Sequence, residues 1–187
     1  MAFSLRSSIA KRCSHLNAAL CYKEEIIDFL MWLRGKYSKD ILIELSSTNV
    51  LIQVFDSDRR YEFQPYVAIE NLEQSKKILS IGTSAKALGS SNVEVVNPFK
   101  HSRTFVHDVV VGEKVLKYGI AHVHDNTVLK PSPRVVLHVK EKSEGGLSIV
   151  EQDLAKQLVL GAGARDFVLY TGNRIDVFST NFDSLKK

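Results

Sequence analysis

The sequence predicts a mixed α/β sheet covered by helices, and three observations carry that prediction. Two apolar, β-branched runs flank a short polar hinge in Asp40-Ile-Leu-Ile-Glu-Leu-Ser-Ser-Thr-Asn-Val-Leu-Ile-Gln-Val54, which reads as a β-hairpin. A third strand-like run at 61–69 extends the hairpin to a meander. Beyond it, two helical periodicities alternate with two further strand signals, the arrangement that places helices over a sheet.

The elements follow in chain order. Residues 1–22 contain no acidic residue but include Arg6, Lys11, Arg12 and several serines, so they read as a basic extension. In a eukaryote this composition would resemble a transit peptide; the alternatives are a flexible extension and a start codon chosen upstream of Met31. A helix is expected over 24–34, opened by Glu24 and Glu25 and closed near Gly35. Its residues Ile26 to Leu33 are apolar except for Asp28, and Arg34, Lys36 and Lys39 follow. Such a helix either docks on a core or lies on an anionic membrane surface through Phe29, Leu30, Trp32 and Leu33.

Strands are expected at 41–45, 49–55 and 61–69, the last two joined by the polar turn Asp56-Ser-Asp-Arg-Arg60. Residues 70–100 are less regular, with a helix-like Ser75–Leu79 and turn signals at Gly82, Gly89 and Asn97-Pro98. In 108–125, Val109, Leu116, Ile120 and Val123 share one face, while Glu113 and Lys117 form an i,i+4 pair. Lys130-Pro-Ser-Pro133 ends that connection and leads to the strand 134–139. Ser148-Ile-Val-Glu151 has a capping-box pattern, and Leu147, Val150, Leu154 and Leu158 form the expected buried stripe of the next helix. Gly161 and Gly163 close it before a strand at Asp166–Tyr170; Gly172-Asn173 then suggests a hairpin into Ile175–Ser179.

Composition bounds the function classes. A chain of 187 residues, 44% hydrophobic, can bury one full core, and no apolar run approaches the ~20 residues that span a bilayer. Cys13 and Cys21 suggest no disulfide framework and read as reduced thiols of a cytoplasmic protein. Residues 1–39 carry seven Lys/Arg against three Asp/Glu, whereas residues 40–187 carry eighteen of each. The basicity therefore belongs to the N-terminal segment, and the remainder gives no electrostatic case for nucleic acid.

The hinge Ser46-Ser47-Thr48-Asn49 is the leading site candidate, because clustered hydroxyls, an amide and turn N–H groups can hold a phosphate. It has no glycine, the residue that normally lets backbone approach a phosphate closely. Gly161-Ala-Gly-Ala-Arg165 is not a dinucleotide fingerprint, since it follows a helix and precedes a strand, the reverse of the required order. His122 and His124 are two apart on a helix and point to different faces, and His101, His107 and His138 lack ligand-like spacing, so no metal is expected. Glu44 has two readings: a strand-end carboxylate in water, or a metal ligand of a ribonuclease-H-like enzyme, for which Glu62, Glu70 and Asp166 would have to converge on it.

Taken together these segments resemble MreB, the family of bacterial actin homologues that determines rod shape. Asp40–Val54 is similar to the family's first phosphate hairpin, and Arg34-Gly-Lys-Tyr-Ser38 to the segment that follows its membrane-binding helix. Pro65-Tyr-Val-Ala-Ile69 resembles a family strand. The most specific block runs from Val111-Gly-Glu-Lys-Val-Leu116 through His124 and Pro131-Ser-Pro-Arg-Val-Val136 to Val150-Glu151 and Gly161-Ala-Gly-Ala-Arg165. The resemblance covers roughly residues 31–170 in family order. It implies an N-terminal basic extension and amphipathic helix over 1–39, then the first actin-fold domain over 40–187 with a small insertion subdomain near 70–100.

The departures from the family pattern shape the functional expectation. The family's hairpin aspartate is Glu44 here, its glycine is Ser46 and its first threonine is Ser47, with Asn49 retained. After Tyr170 the family's glutamates, one of which positions the attacking water, are replaced by Thr171-Gly172-Asn173. Followed to the last residue, the resemblance also leads us to expect that the family's second domain, with its second phosphate hairpin and adenine pocket, is absent. These departures lead us to expect a chain without ATPase activity and with at most weak ATP and magnesium binding. Such a chain would act as an interaction module on an MreB-type filament, another copy of itself, or the inner-membrane surface. The alternatives are a nucleotide-binding, filament-forming relative and a ribonuclease-H-like metal enzyme.

Overall fold

The computed structural model describes residues 27–29, 38–72, 75–124, 131–141 and 146–186. The chain divides into two compact units, Met1–Ser38 and Lys39–Lys187. In the first, residues 27–29 are helical, with Ile27 and Phe29 exposed. Leu30, Trp32, Leu33, the basic extension and both cysteines lie outside the described residues.

The second unit is built on a five-stranded sheet. Its strands are β1 (Asp40–Leu45), β2 (Val50–Val54), β3 (Arg60–Phe63), β7 (Arg134–Val139) and β8 (Asp166–Tyr170), in the spatial order β3-β2-β1-β7-β8. The meander β1-β2-β3 is antiparallel, whereas β7 lies parallel to β1 and β8 parallel to β7. Parallel neighbours need long crossovers, and the two helices supply them: α1 (Val109–Val123) precedes β7 and α2 (Ile149–Gly161) joins β7 to β8. Asp108 caps α1 by accepting the Val111 N–H, and Ser148 with Glu151 closes the expected capping box on α2.

Burial runs along both faces. On the helix-covered face Ile41, Ile43 and Leu45 of β1 pack with Leu116 and Ile120 of α1 and Leu158 of α2. On the other face Leu42, Val136 and Val168 are covered by Phe55, Ile175, Val177 and Phe182. A smaller antiparallel sheet, β5 (Ser75–Ile81), β4 (Val67–Leu72) and β6 (Val93–Val96), lies between β3 and α1 in the chain, with a 3₁₀ helix at Thr83–Leu88.

Four expectations are corrected. The single strand at 61–69 is two strands in different sheets, interrupted at Gln64-Pro65-Tyr66, where proline has no N–H for the ladder. The helix-like Ser75–Leu79 is strand, because pairing with β4 satisfies its backbone where so short a helix has little stability of its own. Val150 is 68% exposed and not part of the buried stripe of α2, whose inner face is Ala155, Leu158 and Val159. No strand forms at Ile175–Ser179; Ile175 and Val177 alternate because they bury against the second face of the sheet, not because they pair with β8.

Candidate functional site

The site lies where β1 and β7 end together. Their register pairs Glu44 with His138 and Leu45 with Val139, and β8 adds Tyr170 beside His138. Residues in register share a face, so Tyr170, His138 and Glu44 form one row across the sheet. Glu44 is only 4% exposed, which corrects the expectation of a strand-end carboxylate in water. Burying a carboxylate is costly unless it is paired. Lys140 supplies the pair by contacting Glu44 Oε2, and His138 Nδ1 lies 3.8 Å from Oε1. Burial lowers the pKa of His138, against the opposing pull of the Glu44 charge. The Tyr170 ring meets the imidazole edge-on at 5.3 Å. Gly172 packs against the Tyr170 ring so closely that a side chain there would collide with it. The Thr171-Gly172-Asn173 segment therefore serves close approach rather than a hairpin.

The candidate turn Ser46-Ser47-Thr48-Asn49 follows directly, closed by Ser46 N–H to Asn49 O at 3.0 Å. Several of its polar groups bond to one another or to neighbouring side chains. Ser46 Oγ accepts the Asn49 N–H at 3.0 Å and donates to Asn49 O at 2.9 Å. Thr48 Oγ1 lies 3.4 Å from Ser46 Oγ. The Ser47 N–H donates to Glu141 Oε2 at 3.1 Å, and Asn97 Nδ2 donates to Ser47 O at 2.8 Å. The Asn49 amide is directed to Glu62 Oε1 at 2.7 Å. Beside the turn is a recess lined by Leu45, Ser46, Ser47, Phe99, Phe105, Val139 and Glu141, with room for about one water.

This surround does not fit a nucleotide phosphate with magnesium. Phosphate sites converge N–H donors and cations on one point. Here the Ser47 donor already serves a carboxylate, Lys140 serves Glu44, and Phe99 and Phe105 make part of the lining apolar. The carboxylates do not converge on a metal either. Glu62 is separated from Glu44 by Leu51 in the strand register, Glu70 belongs to the smaller sheet, and Asp166 pairs with Arg134 at the opposite end of β7. Among the described residues no group of three or more His, Cys, Asp or Glu is placed to hold a metal ion.

Sequence reasoning found the turn, Glu44 and Asn49 but missed Lys140 and Glu141. The available signal was the pair of opposite charges directly after an apolar strand, where side chains alternate between faces. Of the residues proposed for membrane contact, Phe29 is helical and exposed, and the other three lie outside the described residues. Among the described residues no helix is long and apolar enough to cross a membrane.

No family model matches the chain. It is 34% identical over 142 residues to the cell shape-determining protein MreB of Pasteurella multocida, an alignment covering 73% of this chain and 39% of that protein. The corresponding protein of Escherichia coli K12 is 33% identical over 141 residues, with the same coverage. The chain thus spans about two fifths of the length of these relatives. Crystal structures of MreB5 of Spiroplasma citri, bound to AMPPNP or to ADP, share the fold with a TM-score of 0.56 at 17% identity. That superposition covers 72% of this chain and 38% of the other.

Proposed function

We propose a function from the premise that this chain is MreB-like, a cell-shape protein of the bacterial actin type: it works as an interaction module and does not hydrolyse ATP. The observation that carries the reading is the Ser47 N–H, which donates to Glu141 at 3.1 Å in the turn where the resemblance places a phosphate. Phosphoryl transfer depends on positioning and on electrostatic stabilisation of the phosphates, and neither can act where a resident carboxylate holds the donor. What remains is the folded surface.

One side of α1 supports recognition: Val110, Lys114 and Lys117 are exposed at i, i+4 and i+7, with Val110 67% accessible. Exposed apolar residues at Ile149 and Val150 open α2. The partner in this reading is an MreB-type filament or a second copy of the chain, with an inner-membrane surface as a further contact.

The test combines sedimentation and turnover. Purified chain is centrifuged with and without polymerised MreB, and ATP hydrolysis with magnesium is followed in parallel. Pelleting only with the filament, with no phosphate release above the blank, is the expected result. Phosphate release that disappears in Glu44→Ala would overturn it in favour of a nucleotide-dependent filament former, the second reading. That reading is favoured by the nucleotide-bound state of the two Spiroplasma structures.

A further inference from the structure

The turn at the end of β1 carries an occupant of its own. β1 and β7 stay in register to Leu45 and Val139, and the Lys140 N–H donates to Leu45 O at 3.0 Å, extending the ladder past the strands. Side chains alternate along an extended chain, so the next two residues leave on opposite faces. Lys140 follows His138 to the face of Glu44, and Glu141 follows Val139 to the recess. There Glu141 Oε2 accepts the Ser47 N–H at 3.1 Å, while Ser46 Oγ accepts the Asn49 N–H and Asn97 Nδ2 donates to Ser47 O.

We propose that Glu141 is an internal plug: its carboxylate takes the Ser47 N–H that a phosphate-type anion would otherwise accept, and so keeps the turn closed to inorganic phosphate and to nucleotides. This deepens the nucleotide-independent reading above and rests on it. A carboxylate and a phosphate are both oxygen-acceptor anions that compete for the same short N–H donor. At contact distance their charges also repel, so the two cannot share the turn. The nearest lysine in sequence, Lys140, offers no compensation because it neutralises Glu44. Removing the Glu141 charge frees the donor and abolishes the repulsion together.

Calorimetry on the full chain tests this with inorganic phosphate and with magnesium-ATP in separate arms, using wild type, Glu141→Gln and Glu141→Ala. Wild type is expected to bind neither. Both variants are expected to bind phosphate at least about tenfold more tightly than wild type, a difference of about 1.4 kcal/mol. Equal gains in the two arms identify the phosphate group as the ligand, and a larger gain with ATP identifies the nucleotide. Folded variants that bind neither ligand overturn the plug and leave the interaction reading intact. Micromolar ATP binding by wild type overturns both. Amide NMR on wild type is an independent check that needs no variant to fold. The Ser47 N–H, bonded to Glu141 Oε2, should exchange with solvent more slowly than an unbonded turn amide, and exchange at the unprotected rate overturns the proposal.

Discussion

His138 is a base held where its protonated form is disfavoured. It is buried beside Tyr170, Glu44 and Lys140; burial lowers its pKa, the Glu44 charge opposes that shift and Lys140 adds to it. In the unfolded chain a histidine titrates near about 6.5. Above that pH both states are neutral and His138 contributes no slope. As pH falls below it, the unfolded chain binds a proton that the folded chain resists, so stability is lost towards the lower folded pKa. The urea midpoint of wild type is therefore expected to fall between about pH 7 and pH 5 more steeply than that of His138→Gln. Parallel midpoint-versus-pH curves for the two proteins would refute this. At this scale the sequence was only partly legible. The turn stood out as a polar break between apolar runs, whereas the Ser47–Glu141 contact joins residues 94 apart and leaves no local pattern.

At the scale of the element, α1 was legible because its apolar positions repeat at helical spacing, and Leu116, Ile120 and Val123 are indeed buried. Its glycines are explained only by what lies beneath them. A Cβ at Gly119 would stand 2.4 Å from Ile52 Cδ1 and 2.8 Å from Phe63 Cε1, both core residues. Alanine is favoured over glycine in a helix by up to about 1 kcal/mol, but overpacking a core costs roughly 1–3 kcal/mol. Overpacking wins because Ile52 is fully buried and has little room to retreat. Gly119→Ala should lower stability by about 1–2 kcal/mol in urea denaturation, and an unchanged or raised midpoint would refute it. The elements that misled were short. Ser75–Leu79 has too few residues for periodicity to separate helix from strand, and its partner β4 decides the outcome.

For the whole molecule, the C-terminal segment closes the second face of the sheet. Phe182 is fully buried, Arg134 lies over its ring at 4.5 Å, and the same guanidinium joins Asp40 and Asp183. Lys186 contacts Asp166 at 2.5 Å, so charges tie the segment to the starts of β1, β7 and β8. Phe182→Ala is expected to cost about 3–5 kcal/mol and to expose Leu42, Val136 and Val168. Dye binding to apolar surface and faster proteolysis after Tyr170 would report it; a variant with the wild-type melting temperature and digestion pattern would contradict it.

By itself the sequence determined the mixed α/β class, the capping box of α2, the partition of charge and the turn at Ser46–Asn49. Each of these is written in neighbouring residues, through periods of two or 3.6 and through local hydrogen bonds. Tertiary structure alone decided that Glu44 is buried, that Lys140 neutralises it, that Glu141 holds the turn and that Ile175–Phe182 covers a face rather than adding a strand. The reason is register. Which side chains meet across parallel strands depends on how segments far apart in sequence align, and no local pattern records that alignment.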